Sequence, residues 1–426
     1  MNTIRWESYI MLKMVETFSG IGAQAKALKN AKIDFEILNT ADWDINAILA
    51  YDYIHNGDYI EPNKYSKMSK GELLKLLSKY TLSFDGKKPA KEGQLERQSI
   101  EFLRRLCFSI DRSHNLISVT DIKGEDLPND MNILTYSFPC QDLSLAGCWH
   151  GNNGGIDRNA NNRSSMLWQI ERMLLERKNQ NLPLPRFLLM ENVRNIMSKK
   201  HEANFEMWKE SLRNMGYVNY VFSLNAIYFG IPQKRIRAYM VSVYVGNNEK
   251  LKNKIDKYFE KNNLEKISDP RQLNRKSINI KDILRLDYTN PTYKEEAEES
   301  QPKDTSSRRN IYRDNEKLYA SGKYAKIAPT LTTKQDRHPN SGVIDFHNGK
   351  DGMSDFRYIT PRECFMFMGF DEKDYEALLK NNFSVSARGK IFTRDKMNKM
   401  AGNSIVVNVL EEIFKQIDYI DKNLFS

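Results

Sequence analysis

The feature that most constrains the fold is a short strand that ends in a glycine turn and leads directly into a helix. Residues 14–18 form an extended run, Ser19-Gly-Ile-Gly22 follows, and residues 23–29 have helical composition. A second strand is predicted at 35–41, and Asp42 ends it about 20 residues after the glycines. This arrangement predicts a site for a ribose-bearing cofactor, and taken alone it suits a nicotinamide dinucleotide equally well.

Strands and helices continue to alternate along the chain. Further strands are predicted at 133–137, 187–190, 218–224 and 238–243, with helices at 165–176 and 202–215 among them. The alternation predicts an α/β fold with a mostly parallel sheet that is covered on both faces. Between residues 53 and 115, a charged segment with a capping box at Ser69 and Glu72 indicates a helix-rich insertion.

Composition narrows the functional class. The chain has 426 residues and a net charge of +10, which suits two domains and a polyanionic partner. Its four cysteines are scattered without the spacing of a disulfide framework or a zinc site. The sequence has neither an apolar run of about 18 residues nor a secretory signal, so we expect a protein that stays in the cytoplasm and has no membrane partner.

Reactive side chains follow several of the predicted strands. Cys140 lies just after the strand predicted at 133–137, within Ser137-Phe-Pro-Cys-Gln141, and Glu191 directly follows the strand predicted at 187–190. Arg235 and Arg237 precede another strand and share one face through two-residue alternation. Because open parallel sheets bind ligands at the carboxyl ends of their strands, we expect the thiol and the carboxyl group to line one crevice, with the arginines suited to hold an oxygen or a carboxylate.

Together these motifs resemble the cytosine-C5 DNA methyltransferases of the prokaryotic restriction-modification type, in that family's order along nearly the whole chain. The matching stretches are Phe18-Ser-Gly-Ile-Gly-Ala23, Phe138-Pro-Cys-Gln141, Glu191-Asn-Val193, Gln233-Lys-Arg-Ile-Arg237, Arg357-Tyr-Ile-Thr-Pro-Arg-Glu-Cys364 with Met368-Gly-Phe370, and Gly402-Asn-Ser-Ile-Val-Val407. The chain departs from the pattern at Ala23, where the family often has a second glycine, and in the long insertion before Asn115.

The resemblance implies a Rossmann-like methyltransferase sheet that binds S-adenosylmethionine, releases S-adenosylhomocysteine and needs no metal. Asp42 would bind the ribose hydroxyls, Trp43 would contact the adenine, and Asp121 and Ile122, at the end of a third strand, would flank the same base. The expected cofactor residues are Phe18, Ser19, Gly20, Ile21, Gly22, Ala23, Asp42, Trp43, Asp121, Ile122, Pro139, Asn403 and Ser404.

The resemblance also implies covalent chemistry on a cytosine that has been flipped out of the duplex. Cys140 would attack C6, Glu191 would engage N3 and the exocyclic amine, and Arg237 would hold the carbonyl. Arg235 would brace the site.

Two domains are expected to clasp double-stranded DNA. Residues 1–245, completed by about 376–426, would form the catalytic domain, and residues 246–375 would form a smaller domain that reads the target sequence. The expected DNA contacts are Gln141, Ser144, Arg163, Arg308, Arg309, Thr332, Thr333, Lys334 and Arg337. We expect a monomer at the nucleoid, with any partner restriction endonuclease acting without stable contact.

Three other classes compete with this interpretation. A nicotinamide oxidoreductase would leave Cys140, Glu191 and Arg237 unexplained. A tRNA cytosine methyltransferase uses the same core on RNA, but the long unmatched region before Thr330 favours a DNA reader. A non-catalytic DNA-binding module is disfavoured because every reactive position is intact.

Overall fold

A six-stranded sheet forms the centre of the larger part of the chain. The computed structural model describes residues 11–140, 143, 155–158, 163–337, 340–386 and 389–425. The strands are β1 Leu12–Thr17, β2 Phe35–Ala41, β3 Ile133–Tyr136, β4 Phe187–Val193, β5 Tyr217–Asn225 and β6 Ile236–Tyr244. They lie in the order β2-β1-β3-β4-β6-β5. Five strands run in the same direction, because only β6 is antiparallel to both of its neighbours. The predicted α/β fold with a mostly parallel sheet is therefore confirmed.

Helices cover both faces of this sheet. The α-helices of the described residues, including those that pack in the second part of the chain, are in order α1 Ala23–Ala31, α2 Ile45–His55, α3 Asn63–Ser66, α4 Lys70–Leu77, α5 Ile100–Arg112, α6 Leu167–Asn179, α7 Glu202–Asn214, α8 Glu249–Lys261, α9 Ile280–Ile283, α10 Pro291–Glu299, α11 Ser306–Asp314, α12 Pro361–Phe367, α13 Glu372–Lys380, α14 Arg394–Asn403 and α15 Val407–Asn423. Phe187 and Leu189 face a core with α1, α2 and α15, whereas Leu188 and Met190 face a second core with α6 and α7. The alternation explains why β4 is apolar at consecutive positions.

The insertion before Asn115 is helix-rich, as predicted. The capping box at the start of α4 is present, with the Glu72 amide donating to the Ser69 hydroxyl at 3.3 Å and the Ser69 amide donating to the Glu72 carboxylate at 2.7 Å. At the far end, the buried Asp52 of α2 accepts hydrogen bonds from Ser109 and Arg112 of α5. The insertion is thus fixed to the helix that follows β2.

The third strand expected to end at Asp121 is not formed. The described chain makes only an isolated bridge there, between Thr40 and Asn115. The Asn115 side-chain oxygen accepts hydrogen bonds from the amides of Asp42 and Ile117, at 3.2 Å and 2.7 Å. The Asn115 side chain thus binds the end of β2 and its own following turn, and the described chain forms no strand of the large sheet between α5 and β3.

A smaller sheet lies in the second part of the chain. Its order is β10-β9-β7-β8, with β7 Lys317–Ala320, β8 Lys323–Tyr324, β9 Val343–Asp345 and β10 Phe356–Tyr358, and a separate hairpin joins β11 Ser384–Ser386 to β12 Gly389–Lys390.

Helix α8, which follows residue 246, packs against elements of the large sheet and against α15. Phe259 of α8 stacks on Tyr220 of β5 at 4.1 Å between ring centroids, and Tyr258 stacks on Tyr419 of α15 at 5.0 Å. These aromatic contacts bind α8 to the large sheet. The lysine-rich composition of this stretch does not predict them. The division into domains at 246 and 375 stays a prediction.

The end of β10 is held by a fully buried ion pair. The Arg357 guanidinium donates two hydrogen bonds of 2.8 Å to the carboxylate of Glu363, and both side chains are completely shielded from solvent. Glu363 also accepts the amides of Thr360 and Arg285, at 2.9 Å and 2.8 Å. The carboxylate therefore organises three segments at once, and neither charge could remain buried alone.

We predict that Arg357→Met lowers the free energy of unfolding by about 3–5 kcal/mol, because it leaves the Glu363 carboxylate buried without its counter-charge. Urea denaturation followed by near-ultraviolet circular dichroism measures this change. The control is Arg271→Met, since that arginine is 86% exposed in its ion pair with Asp269. The control should unfold at nearly the wild-type urea concentration, and equal midpoints for both variants would refute a structural role for the buried pair.

Candidate active site

A cavity of about 330 Å³ opens at the carboxyl ends of the parallel strands. Its walls come from the residues that directly follow β1, β2 and β3, from the end of β4, from the start of β6, and from α14. The lining residues are Phe18, Ser19, Gly20, Ile21, Ala23, Gln24, Ala41, Asp42, Trp43, Asp44, Ala47, Gly86, Lys87, Ile117, Ser118, Val119, Thr120, Ser137, Phe138, Pro139, Cys140, Met166, Glu191, Asn192, Val193, Arg235, Arg237, Lys399, Met400, Gly402, Asn403, Ser404 and Ile405. Most of the residues predicted for catalysis and cofactor binding thus meet in one cavity.

The loop after β1 is shaped by the carboxylate that follows β2. The amides of Gly20 and Asp44 each donate to Asp42, both at 2.9 Å. Phe18 and Gly20 both have a φ of 54°, which keeps this backbone close to the carboxylate. Burial raises the pKa of Asp42 to about 6. The Ser19 hydroxyl is buried and has no hydrogen-bond partner among the described residues, so it is available to a polar ligand.

Gly22 does not line the cavity, and its role is structural. Its φ is 75°, and a side chain there would meet His55, with a Cβ only 2.2 Å from the imidazole Nε2. The same nitrogen lies 3.0 Å from the carbonyl oxygen of Ile21. Glycine is needed at this position because the histidine occupies the space of any side chain.

Asp121 and Ile122, expected beside an adenine, lie outside the cavity. Ile122 is buried in the second core, and Asp121 is exposed, with its carboxylate accepting a hydrogen bond from the Thr120 hydroxyl at 2.9 Å. The preceding residues 117–120 form the wall instead. The shift follows from the turn at Asn115, which replaces the expected strand.

The backbone around Cys140 is held by two side chains. The Asn192 amide donates to the carbonyl of Phe138 at 3.0 Å, and the Ser164 hydroxyl donates to the carbonyl of Pro139 at 2.7 Å. Cys140 itself is half-buried. Burial raises the pKa of its thiol, and the positive charge of Arg237 opposes that shift. The cavity therefore favours the neutral thiol, with an arginine beside it that stabilises the thiolate.

Glu191 and Arg237 meet across the antiparallel pairing of β4 with β6. The Arg237 Nε lies 3.5 Å from the Glu191 Oε1, and the side chains are 17% and 12% exposed. Burial raises the pKa of Glu191, and Arg237 acts against this shift. The pair places a carboxyl group and a guanidinium side by side near the thiol, which suits a ring with neighbouring donors and acceptors.

Arg235 is buried and joins three parts of the chain. Its guanidinium donates to the carbonyl oxygens of Leu331, Gly402 and Ser404, at 2.9 Å, 3.1 Å and 2.9 Å. Burial, with the neighbouring charge of Arg237, lowers its pKa to about 9. The structure thus makes Arg235 a brace between β6, the loop at 331 and the end of α14.

The residues predicted to contact DNA fall into two groups. Thr332 and Thr333 pack directly against Gly402 at the cavity rim, and Lys334 and Arg337 are exposed on the same loop. On helix α11, Arg308 donates to the Asp336 carbonyl of this loop at 2.8 Å, whereas Arg309 pairs with Asp304 at 3.0 Å. Gln141 and Ser144 lie outside the described residues, as does the side chain of Arg163, whose backbone begins the turn Arg163–Met166.

Sequence reasoning missed several residues of the cavity. Asn192 belongs to the motif Glu191-Asn-Val193 and is a polar residue at the end of a buried strand. That position could have indicated that its side chain anchors the backbone beside Cys140. No such signal marked Lys399, Gly86 and Lys87, because these cavity residues lie in segments outside the motifs.

Neither a metal centre nor a membrane span is found in the described ranges. They contain no group of three or more His, Cys, Asp or Glu side chains placed to hold a metal ion. No helix within the same ranges combines the length and apolar character needed to cross a bilayer.

Comparison with known proteins agrees with the motifs. The family model for C-5 cytosine-specific DNA methylases matches residues 98–419. The orphan methyltransferase M.SssI of Spiroplasma monobiae is 33% identical over 423 residues, covering 95% of this chain and 97% of the relative. The type II methyltransferase M2.ScrFI of Lactococcus lactis is 29% identical, covering 96% and 99%.

Among solved structures, the Dnmt2 methyltransferase of S. pombe matches with a TM-score of 0.57 over 97% of this chain and 99% of that one. At 18% identity this likeness shows the fold alone. Because the family model spans most of the sequence and a relative above 30% identity covers nearly all of it, the chain belongs to the C-5 cytosine-specific DNA methylases and is a DNA (cytosine-5) methyltransferase.

Proposed function

We propose that this enzyme methylates C5 of a cytosine flipped out of a specific double-stranded DNA sequence, through a covalent bond between Cys140 and C6. The observation that carries the proposal is the meeting of Cys140, Glu191 and Arg237 in one cavity with the loop 18–24. A nucleophile, an acid and a cation that share a cavity with a cofactor loop suit the activation of a ring for transfer.

The cofactor would occupy the part of the cavity beside Asp42. Membership of the family implies S-adenosylmethionine, and the residues present suit it: a carboxylate for hydroxyl donors, the half-buried ring of Trp43, and the unpartnered Ser19 hydroxyl. We assign the hydroxyl contacts to Asp42 and the adenine packing to Trp43 and Phe18. The bound cofactor supplies the electrophilic methyl group that the activated ring accepts at C5.

Cys140 would activate the ring. Attack of the thiolate on C6 forms the S–C6 bond and turns C5 into an enamine carbon, which is the nucleophile that the unmodified ring lacks. Once C5 has been methylated, loss of its proton to a base returns the electron pair that breaks the S–C6 bond and frees the thiolate. The anchors at Phe138 and Pro139 keep the sulfur at one position through both steps.

Glu191 and Arg237 would orient and polarise the cytosine. Because burial raises the pKa of Glu191, its carboxyl group is suited to share a proton with N3 as negative charge develops in the ring. Arg237 would donate to the carbonyl oxygen at C2 and would stabilise the thiolate before attack. The Arg237 Nε and the Glu191 Oε1 are 3.5 Å apart, so each group helps to hold the other in place.

DNA would approach across the rim formed by the loop at 332–337. Cys140 lies within a cavity, and C6 of a stacked cytosine is out of reach for such a group, so the base must leave the helix. The exposed Lys334 and Arg337 would pair with phosphates. We also propose that the enzyme modifies host DNA in a restriction-modification system, with any endonuclease acting separately, because a relative named as a type II methyltransferase matches over 96% of this chain.

We predict that duplex DNA with 5-fluorocytosine at the target becomes covalently trapped on Cys140 when S-adenosylmethionine is present. Fluorine cannot leave C5 as a cation, so the electron pair that expels the thiolate never returns. Denaturing electrophoresis and peptide mapping measure the adduct and its position.

Cys140→Ser should abolish trapping, because a hydroxyl is scarcely ionised at neutral pH. The matched control is Cys148→Ser, a position outside the described residues, which should trap like the wild type. An adduct that persists in Cys140→Ser, or that maps to Cys148, would eliminate the proposed nucleophile.

We predict a pH dependence of cofactor binding that belongs to Asp42. Its ionised form accepts hydrogen bonds from hydroxyl groups, and its pKa in the free protein is raised to about 6. Affinity for S-adenosylhomocysteine should therefore be full above pH 7 and should fall as the pH drops through about 6. Calorimetric titration of wild type and Asp42→Asn tests this, with Asn weakening binding at pH 7.5 and removing the dependence. The same pH profile in both proteins would reject the assignment.

A further inference from the structure

A turn from the insertion folds back onto the cofactor side of the cavity. Residues 83–88, here called the insertion turn, lie beside the connection between β2 and α2. The Ser83 amide donates to the carbonyl of Trp43 at 2.8 Å, and the Ile45 amide donates to the carbonyl of Ser83 at 2.9 Å. These paired bonds extend the wall that begins at Asp42 and Trp43.

Side chains within the insertion turn fix its shape. The Ser83 hydroxyl accepts the Gly86 amide at 2.9 Å. The Asp85 carboxylate accepts the amides of Lys87 and Lys88, at 2.8 Å and 3.0 Å. Gly86 has a φ of 63°, and a Cβ at this position would stand 2.6 Å from the Asp44 carboxylate. The turn is therefore ordered by its own sequence and seated closely against Asp44.

Lys399 fastens the insertion turn to the C-terminal side of the cavity. Its ammonium donates to the Asp44 carboxylate at 3.0 Å and to the Asp85 carbonyl at 2.6 Å. Asp44 also begins α2, where its carboxylate accepts the Asn46 amide at 3.0 Å. One lysine thus connects α14, the start of α2 and the insertion.

Lys87 is exposed and differs from Lys399 in its charge environment within the described residues. Both lysines line the cavity, but the ammonium of Lys399 lies 3.0 Å from Asp44, whereas no ion pair to Lys87 is found among the described side chains. Within the described part of the chain, the insertion turn therefore presents an exposed cation at the cavity wall that no carboxylate pairs with. Such a group attracts an anion, and the α-carboxylate is the only anionic group of the family's methyl donor at neutral pH.

We propose that the insertion turn is part of the cofactor site and that Lys87 pairs with the carboxylate of the bound S-adenosyl ligand. This inference rests on the proposed cofactor site beside Asp42 and adds a wall that the family motifs do not include. Lys399 acts as a positioning residue, because it holds the turn against Asp44 without being free to pair with the ligand.

The test compares two ligands that differ in the carboxylate. Calorimetric titrations use S-adenosylhomocysteine and 5′-methylthioadenosine, which lacks the amino-acid portion, with wild type, Lys87→Ala and Lys88→Ala. Lys88 is the matched control, because it is exposed, lies in the same turn and does not line the cavity. We expect Lys87→Ala to weaken S-adenosylhomocysteine binding roughly five- to tenfold and to leave 5′-methylthioadenosine binding within about twofold. Lys88→Ala should match the wild type with both ligands.

Hydrogen exchange supplies a readout of the wall itself. Amides of residues 83–88 should exchange more slowly in the wild type once S-adenosylhomocysteine is bound. Unchanged exchange, equal affinity of Lys87→Ala and wild type, or equal weakening for both ligands would each overturn the inference. A wild type that binds no S-adenosylhomocysteine would instead overturn the proposed cofactor site.

Discussion

The cavity exists because a buried guanidinium binds three carbonyl oxygens from distant parts of the chain. Arg235 stands at the start of β6 and donates to Leu331, Gly402 and Ser404. A guanidinium has donors in a fixed planar fork and no acceptor, so it can satisfy several carbonyl groups only if they converge. The rim loop and the end of α14 are therefore placed by one side chain that is itself only 4% exposed.

The two neighbouring arginines, Arg235 and Arg237, therefore have different roles, one structural and one chemical. Arg235 donates its hydrogen bonds to backbone carbonyl groups. Arg237 instead faces Glu191 and Cys140, and its charge acts to lower the pKa of both groups. Burial raises the pKa of the thiol and of both cavity carboxyl groups considered for ligand contact, Glu191 and Asp42. A water-poor site of this kind strengthens each electrostatic interaction with a bound base. The buried thiol and carboxyl groups ionise there only where an arginine or a backbone amide stabilises the charge.

Much of the large sheet could be predicted from the sequence, because strands buried on both faces leave a continuous apolar signal. The buried strands β3 and β4 begin at the predicted residues, 133 and 187, and the cavity at the strand ends contains Cys140, Glu191 and Asp42, as the strand-end rule predicts. The failures have physical causes that a linear pattern does not contain. The side chain of Asn115 bonds two backbone amides where a third strand was expected, and Gly22 makes room for His55. The insertion turn is held at the cavity by backbone bonds to the segment after β2 and by Lys399, which lies more than 300 residues later in the chain.

The most direct test of this account is hydrogen exchange in Arg235→Met compared with Arg237→Met. Loss of three hydrogen bonds from a charged donor, each worth about 1.5–3 kcal/mol, should loosen the segments that Arg235 holds. Amides of residues 331–333 and 402–405 should then exchange at least about tenfold faster in Arg235→Met, while Arg237→Met keeps wild-type exchange and loses covalent trapping of DNA. Wild-type exchange over both segments in Arg235→Met would contradict the claim that this guanidinium holds the cavity together.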